Sequence, residues 1–169
     1  MPESNVLIYL VRRDLRVSDN PILHHLATSE DHGFTHLLPV CVVPPNQYEV
    51  SGFINDGSAS PFPEARSAVG GFWRCGPHRA KFVAESMWDL KTSFESLDSG
   101  LVIRVGQFGE TLKSLVEGLK ADGLKAGATW MVSQEGSEEK QEENSVSTYC
   151  AGENITFKSW VDEKYFIDE

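Results

Sequence analysis

Short apolar runs alternate with segments of helical periodicity along the whole chain. The runs most typical of β-strands are VLIYLV (6–11), HLLPVCVV (36–43), LVIRVG (101–106), TWMVSQ (129–134) and ITFKSW (155–160). The first two are almost continuously apolar, as strands covered on both faces of a parallel sheet are. Strands that alternate with helices predict βαβ units, so we expect a doubly wound α/β domain with helices on both faces of one sheet.

The segments between the strands carry the start signals of four helices. Asn20 is a good N-cap and stands directly before a proline, which suits the first helical position. Gly76-Pro77 opens the longest pattern, in which apolar residues recur at three-and-four spacing: Ala80, Val83, Met87, Leu90, Phe94 and Leu97. Two further helices are predicted from Glu110 and from Ser137.

The segment from 44 to 75 fits neither period. Its 32 residues include four prolines and four glycines, which predicts a loop. A loop of this length inside a compact domain is usually functional or disordered. Its aromatic residues suggest that it packs on the rest of the domain: Phe53, Phe62, Phe72 and Trp73.

Composition narrows the class of protein. The 169 residues are enough for one domain, 1–169, and no apolar stretch approaches the roughly 20 residues that span a bilayer. The N-terminus lacks a secretory signal, and three cysteines without a CxxC pair indicate a reducing compartment, which leaves cytoplasm, nucleus and mitochondrion open. The net charge of -10 makes the chain a poor candidate for nucleic-acid binding.

A dense group of charges follows the first strand. The stretch VRRDLRVSDNP (11–21) holds three arginines and two aspartates. Ligands of open α/β sheets bind beyond the carboxyl ends of the strands, so these charges could hold a ligand. GxGxxG and GxxxxGK[ST] are absent from the sequence, which disfavours dinucleotide and P-loop sites. We favour the structural alternative, in which arginines and aspartates pair across the loop and cap the next helix.

Three ordered motifs resemble one known family. LVRRDLRVSDNPIL (10–23) resembles the N-terminal signature of the photolyase/cryptochrome family. GPHRAKFVAESMWDLKTSFE (76–95) is similar to the long helix of DASH-type cryptochromes, and QEGSEE (134–139) to the acidic motif after their fourth strand. NQYEVSGF (46–53) and GGFWRCGPHRAKF (70–82) look like fungal members. The resemblance covers essentially the whole chain.

The resemblance implies a fold and a role for the charged stretch. The fold is the family's Rossmann-like antenna domain, with five parallel strands in the order 3-2-1-4-5. The family signature mostly fixes the first strand-to-helix turn and the contacts inside the domain. The residues that match it here are Arg12, Asp14, Arg16, Asp19 and Asn20.

The resemblance also implies what lies outside these residues. In the family a large helical domain follows, which binds FAD and docks the DNA lesion, and no part of this sequence matches it. We therefore expect this chain alone to be catalytically inactive, as the light-harvesting domain of a flavoprotein that repairs pyrimidine dimers or senses blue light. FAD is expected only in a full-length protein. The alternative is a naturally truncated module that binds a protein partner through the face that the helical domain would cover.

Ligand contact is expected after the fourth strand. Members of this type commonly hold methenyltetrahydrofolate, a light-harvesting pterin, and Glu135 matches the acidic position associated with it. A carboxylate suits the adjacent N–H donors of the pterin's aminopyrimidinone edge, and Gln134 could supplement it. Binding to the isolated domain is expected to be weak. The alternative is that Glu135 is one more acid on a solvated helix start with Glu138, Glu139, Glu142 and Glu143.

Other candidate residues point to structure. Adjacent residues on a helix face different sides, so His24 and His25 cannot share a metal, and we predict no metal site. Cys41 lies in an apolar run and is expected to be an inert core thiol. No G-x-S-x-G elbow supports a hydrolase, and we predict no catalytic residue. The four tryptophans are expected to pack in the core or at interfaces: Trp73, Trp88, Trp130 and Trp160.

Overall fold

A computed structural model describes residues 4–48 and 59–162. In these ranges five strands alternate with four helices, as the hydrophobic pattern predicts. The strands are β1 (Asn5–Val11), β2 (His36–Val43), β3 (Val102–Val105), β4 (Lys125–Val132) and β5 (Thr156–Trp160). The helices are α1 (Pro21–Thr28), α2 (Pro77–Glu95), α3 (Phe108–Ala121) and α4 (Ser137–Glu153).

The five strands form one parallel sheet. Their order is β3-β2-β1-β4-β5, which confirms the order that the resemblance implies. β1 lies at the centre between β2 and β4, with Leu10 level with Val40 on one side and with Met131 on the other. From β1 the chain adds β2 and then β3 on one side of the sheet, and afterwards β4 and then β5 on the other side. The direction of strand addition therefore reverses between β1 and β4.

The sheet separates two apolar cores. Alternate side chains of β1 point to opposite faces, so Tyr9 lies in one core and Leu10 in the other, both fully buried. The first core is covered by α1 and α2, which contribute Ile22, Met87, Leu90 and Phe94. The second is covered by α3 and α4, which contribute Phe108, Leu112, Val116, Val146 and Cys150. Both faces of the sheet are therefore covered, as the doubly wound prediction requires.

The structure corrects the bounds of the fourth strand. The apolar run predicts a strand over 129–134, whereas β4 begins at Lys125 and ends at Val132. Its first residues are partly exposed and not strongly apolar, because they lie at the open end of the sheet. Gln134 therefore stands in the turn after the strand and not inside it.

The long loop packs on the domain less than its aromatic residues suggest. Phe62 is partly buried against the first core, but Phe72 is 64% and Trp73 43% exposed. A bridge between Arg66 and Trp73 closes a short hairpin, and the Arg66 guanidinium lies 4.0 Å from the centroid of the Trp73 ring. Phe53 lies outside the described residues.

Candidate functional site

The edge of the sheet beyond the carboxyl ends of β1 and β4 is the expected position for a ligand. Strand order reverses between these two strands, and ligands of open α/β sheets bind at such a switch point. Two turns meet there. The turn from 12 to 20 carries the charged signature, and the turn from 133 to 136 carries Gln134 and Glu135.

The turn after β1 contains a buried polar network. The Tyr9 hydroxyl donates to the Asp14 carboxylate and accepts from the Asn20 side-chain amide at 2.7 Å. Asp14 also accepts from the Arg12 backbone N–H at 3.0 Å, and Asn20 caps α1 by accepting from the N–H groups of Ile22 and Leu23. Burial and the nearby Asp14 charge raise the pKa of Tyr9, so its hydroxyl stays a donor.

The Arg12 side chain hydrogen-bonds to α4 and to the end of β4 rather than to the aspartates of its own turn. One terminal nitrogen donates to the Glu139 backbone carbonyl at 2.6 Å and forms an ion pair with Glu142 at 2.8 Å. The other donates to the Val132 carbonyl, at the end of β4, over 3.3 Å. Only 2% of the Arg12 side chain is exposed. The guanidinium therefore binds both sides of the turn that carries Gln134 and Glu135.

The remaining arginines of the stretch also reach distant segments. Arg13 pairs with the Glu139 carboxylate. Arg16 pairs with both oxygens of Asp162, at 2.7 and 2.8 Å, and donates to the Asp19 carbonyl. The Asp19 backbone has a φ of 56°, a left-handed conformation that Asp tolerates better than most residues. The prediction that the arginines pair with aspartates of the same loop is wrong, because their carboxylate partners lie beyond it.

The two residues proposed for ligand contact point in different directions. The Glu135 side chain is 60% exposed, with the Lys140 ammonium 3.8 Å from its carboxylate. The side-chain oxygen of Gln134 is buried and has no hydrogen-bond partner among the described residues. Glu135 thus presents a carboxylate at the surface of the switch point, while the Gln134 carbonyl oxygen faces the interior.

The acidic start of α4 is not a uniformly solvated face. Glu139 is a buried residue that binds Arg13, and only 11% of the Glu142 side chain is exposed beside Arg12. Glu138 pairs with Arg74 of the long loop at 2.5 Å. Sequence reasoning missed these roles, although Glu139 and Glu142 stand three residues apart and so share one side of the helix.

Gly136 is a further residue that the sequence analysis missed. A Cβ added at this position would lie 1.9 Å from a carboxylate oxygen of Glu139, which is closer than two non-bonded atoms can approach. Gly136 is the N-cap residue of α4, and the Glu139 carboxylate folds back over it. The glycine inside QEGSEE therefore gives the Glu139 carboxylate its place beside Arg13. Its position three residues before a glutamate was the available signal.

Side chains elsewhere in the described ranges mostly serve packing. Cys41 is buried in the first core, where desolvation raises the pKa of its thiol to about 12. Trp130 packs in the same core, with its ring centroid 5.0 Å from that of Trp160, whereas Trp88 is 56% exposed and does not pack in either core. The described residues include no cluster suited to a metal ion and no helix long and apolar enough to cross a bilayer.

This strand order defines an open, doubly wound Rossmann-like α/β domain, a class in which ligands bind beyond the carboxyl ends of the strands. The sequence profile of the DNA photolyase family matches residues 7–166. The chain belongs to the DNA photolyase family and corresponds to its N-terminal α/β domain.

Similar proteins narrow the subgroup. A Neurospora crassa protein named as a mitochondrial cryptochrome DASH is 56% identical over all of this chain, which spans 23% of that protein. A Gibberella zeae protein named as a cryptochrome DASH is 53% identical over the whole of this chain. The matched region is 24% of the Gibberella protein. The chain thus spans about a quarter of these relatives.

A solved structure shares the fold. An archaeal photolyase from Sulfolobus tokodaii superposes on this chain with a TM-score of 0.64 and a sequence identity of 17%. The superposition covers 93% of this chain and 29% of the archaeal chain. That crystal structure contains two FAD molecules, with the implication of a novel light-harvesting cofactor. At this identity the likeness supports the fold alone.

Proposed function

We propose that this chain is the light-harvesting domain of a DASH-type cryptochrome and that its β4–α4 turn binds methenyltetrahydrofolate. Glu135 is the principal contact, and Gln134 stands beside it. The observation that carries the proposal is a contrast in burial among the acids of the β4–α4 turn and the start of α4. The Glu139 and Glu142 side chains are 10% and 11% exposed beside arginines, whereas the Glu135 side chain, with the Lys140 ammonium 3.8 Å away, is 60% exposed at the switch point.

The chemistry of a pterin fits that position. The aminopyrimidinone edge of the ring presents adjacent N–H donors, and a carboxylate accepts two such bonds in a charge-assisted pair. The Arg12 contacts on both sides of the turn hold the backbone on which Glu135 stands. When bound, the pterin would supply near-ultraviolet absorption, while the protein supplies a fixed acceptor and an orientation.

A flavin set deep in the domain fits less well. The space beneath the switch point, between Arg12, Phe108 and Gln134, measures about 20 Å³. One water molecule needs roughly 10–15 Å³, so the side chains that line this space would have to move to admit a three-ring isoalloxazine. A chromophore of this domain is therefore better placed on the surface, against Glu135, than in its interior.

The activity of a complete protein is also a proposal. The full-length cryptochrome DASH relatives are about four times as long as this chain. We propose that a helical domain in cis binds FAD, covers the pterin from the other side, and performs blue-light sensing or dimer repair. Closure of the site would remove water from around Glu135 and strengthen its hydrogen bonds. The isolated chain is expected to bind folate only weakly.

The test is a folate titration followed by near-ultraviolet absorbance. It is run on this chain and on a chimera continued by the remaining sequence of the Neurospora relative. In the chimera, Glu135→Gln keeps the side-chain shape but places an NH2 group against the pterin donors. Loss of one charge-assisted hydrogen bond predicts an affinity roughly 10- to 150-fold lower.

Two further variants separate a placed carboxylate from bulk acidity. Glu117→Gln changes an exposed acid on α3 and should leave the affinity unchanged. Glu138→Gln removes the partner of Arg74, so it reports on the long loop as well as on the charge of the helix start. Equal losses in all three variants, or unchanged affinity in Glu135→Gln, would reject Glu135 as the ligand contact.

A further inference from the structure

The hairpin at the end of the long loop, residues 64–74, holds three apolar side chains in solvent. Val69 is 81% exposed, Phe72 64% and Trp73 43%. All residues from 68 to 73 are exposed, so this part of the hairpin stands clear of both cores. Single exposed apolar residues are ordinary on a protein surface, whereas a group of them in one segment marks an interaction site.

Hydrogen bonds and one stacked pair hold the hairpin in a defined shape. The Ser67 N–H donates to the Phe72 carbonyl at 2.9 Å. The Arg66 guanidinium lies 4.0 Å from the centroid of the Trp73 ring and donates to the Gly71 carbonyl at 2.9 Å. An exposed apolar segment that is already ordered loses little conformational freedom when it binds, which favours an interface over a solvated loop.

The base of the hairpin is fixed at the edge of the sheet that carries the proposed pterin site. Arg74, which follows Trp73, forms an ion pair at 2.5 Å with Glu138 in the first turn of α4. Glu138 stands three residues after Glu135. Ala65, on the other side of the hairpin, is only 2% exposed. The exposed apolar side chains are therefore attached beside the turn that a helical domain is proposed to cover.

Charge and length indicate what covers the hairpin. The net charge of -10 disfavours a second copy of this chain, which would bring like charges together, and it also disfavours an anionic membrane. The chain spans 23% and 24% of the two cryptochrome DASH relatives, so most of the length of such a protein lies outside it. A domain within that remaining length is joined covalently to this one and needs no separate encounter.

We propose that the hairpin is the docking element for the helical domain in cis. Phe72 and Trp73 enter an apolar groove of that domain, with Val69 beside them, and the Arg66 guanidinium stays at the rim of the contact, paired with Glu64. This inference rests on the helical domain of the proposed function and adds the surface that holds it. Docking at the hairpin then keeps the site closed over Glu135.

Hydroxyl-radical footprinting, read by mass spectrometry, tests the contact without folate because it measures the solvent access of individual side chains. Phe72 and Trp73 should react about fivefold or more slowly in the chimera than in this chain alone, since the anchors of an interface are fully desolvated. Trp88 and Leu97, which are 56% and 61% exposed outside the hairpin, are internal controls and should react equally in both. Equal reactivity of Phe72 and Trp73 in the two proteins, or the same slowing at all four residues, would overturn the proposal.

Trp73→Ser in the chimera tests whether the hairpin anchors the domain or only lies next to it. Loss of an aromatic anchor should lower the docking equilibrium constant about 30-fold or more, so that the reactivity of Phe72 rises toward its value in the chain alone. Phe72→Ser, read out at Trp73, is a second variant that leaves the stacking of Arg66 on Trp73 in place. Leu97→Ser removes an equally exposed apolar side chain and should change neither readout. Continued protection in both hairpin variants would show that these side chains do not anchor the domain.

Other occupants of the hairpin would give different patterns. Protection that develops in the chain alone as its concentration rises, together with a dimer in sedimentation, would make the hairpin a contact between copies. Protection that requires folate would make Trp73 a ligand contact. Either pattern overturns docking.

The inference and the proposed function can fail separately. Protection in a chimera that does not bind folate would reject the pterin site and leave the docking surface in place. Folate binding that depends on Glu135, without protection of the hairpin, would retain the pterin site and reject the docking surface.

Discussion

The turns after β1 and β4 lie side by side at the switch point but use their charges in opposite ways. In the first, Arg12, Asp14 and Asn20 are all buried and bonded within the protein. In the second, Glu135 is exposed at the surface. The stretch with the higher charge density is therefore the one bonded most extensively within the protein, and the plainer turn carries the exposed carboxylate that we propose as the pterin contact.

Burial explains why the difference matters. A charge taken out of water must be matched by hydrogen bonds and an opposite charge, and the β1 turn provides both through α4. Such a network tolerates little change, whereas an exposed carboxylate can change its partner at small cost. The comparison predicts large effects on stability from the first turn and effects on ligand binding from the second.

The largest loss of stability is expected from Arg12→Met. The change leaves the Glu142 carboxylate, which is 11% exposed, without its cation and removes one donor from each of the Val132 and Glu139 carbonyls. Removing one partner of a buried pair typically costs about 3–5 kcal/mol. Urea denaturation followed by circular dichroism measures this loss, and Arg79→Met, at an exposed position on α2, is the matched control.

A second variant separates the lost charge pair from lost packing. Arg12→Met combined with Glu142→Leu replaces both charges with apolar groups, which is often close to neutral for a buried pair. The double variant should therefore be more stable than Arg12→Met alone. A double variant that is less stable still would mean that the two side chains do not act as a pair.

The second-largest effect is expected from alkaline pH, which should lower the free energy of unfolding through Cys41 and Tyr9. Burial, and secondarily the Asp14 charge, raise the pKa of Cys41 to about 12, and they also raise that of Tyr9. The unfolded thiol loses its proton near pH 9, while the folded one retains it. Stability is therefore full below about pH 9 and falls as pH rises toward the folded pKa, by about 1.4 kcal/mol per pH unit for each such group.

Denaturation at pH 8, 9.5 and 10.5 checks this slope. Cys41→Val should flatten it above pH 9, whatever its effect on stability at neutral pH. Tyr9 should make the fall of unfolding free energy with pH steeper only above about pH 10, where an unfolded tyrosine ionises. A slope that is the same with and without Cys41 would contradict the assignment.

The fold could be predicted because its signals are local and periodic. The continuous apolar runs of β1 and β2, and the Asn20 cap before Pro21, each depend on a few neighbouring residues. The first residues of β4 carry no strand signal of their own. Lys125 and Ala126 are held by pairing with Asn5 and Val6 of β1, and Gly127 lies at the register shift that follows.

The partners of the charged residues could not be predicted in the same way. Arg12 and Glu142 are 130 residues apart, and nothing in either local sequence specifies the other. Glu139 and Glu142 look like solvated acids because composition does not reveal which side of α4 meets the sheet edge. The local signals of that arrangement are the three-residue spacing of Glu139 and Glu142 and Gly136, which leaves space for the Glu139 carboxylate.

A moderate loss is expected from Asn20→Ala. Its side-chain oxygen accepts from the N–H groups of Ile22 and Leu23, and its amide donates to the Tyr9 hydroxyl. Loss of an N-cap costs about 1–2 kcal/mol. Asn144→Ala, at an exposed position inside α4, should instead be neutral or slightly stabilising because alanine favours helix. Equal effects of the two variants would mean that the cap contributes nothing.

The smallest effect should come from Arg16, which sharpens the comparison within a single turn. Arg16 makes two contacts with Asp162 at 2.7 and 2.8 Å, but its side chain is 41% exposed, against 2% for Arg12. Water and salt screen such a pair, so Arg16→Gln should cost less than about 1 kcal/mol. The difference from the unaltered chain should shrink further in 1 M NaCl, where the Debye length is about 3 Å, whereas the Arg12→Met loss should persist. Parallel urea denaturations at low and high salt measure both. A loss for Arg16→Gln as large as that for Arg12→Met, and equally insensitive to salt, would show that burial does not set the energetic value of these arginines.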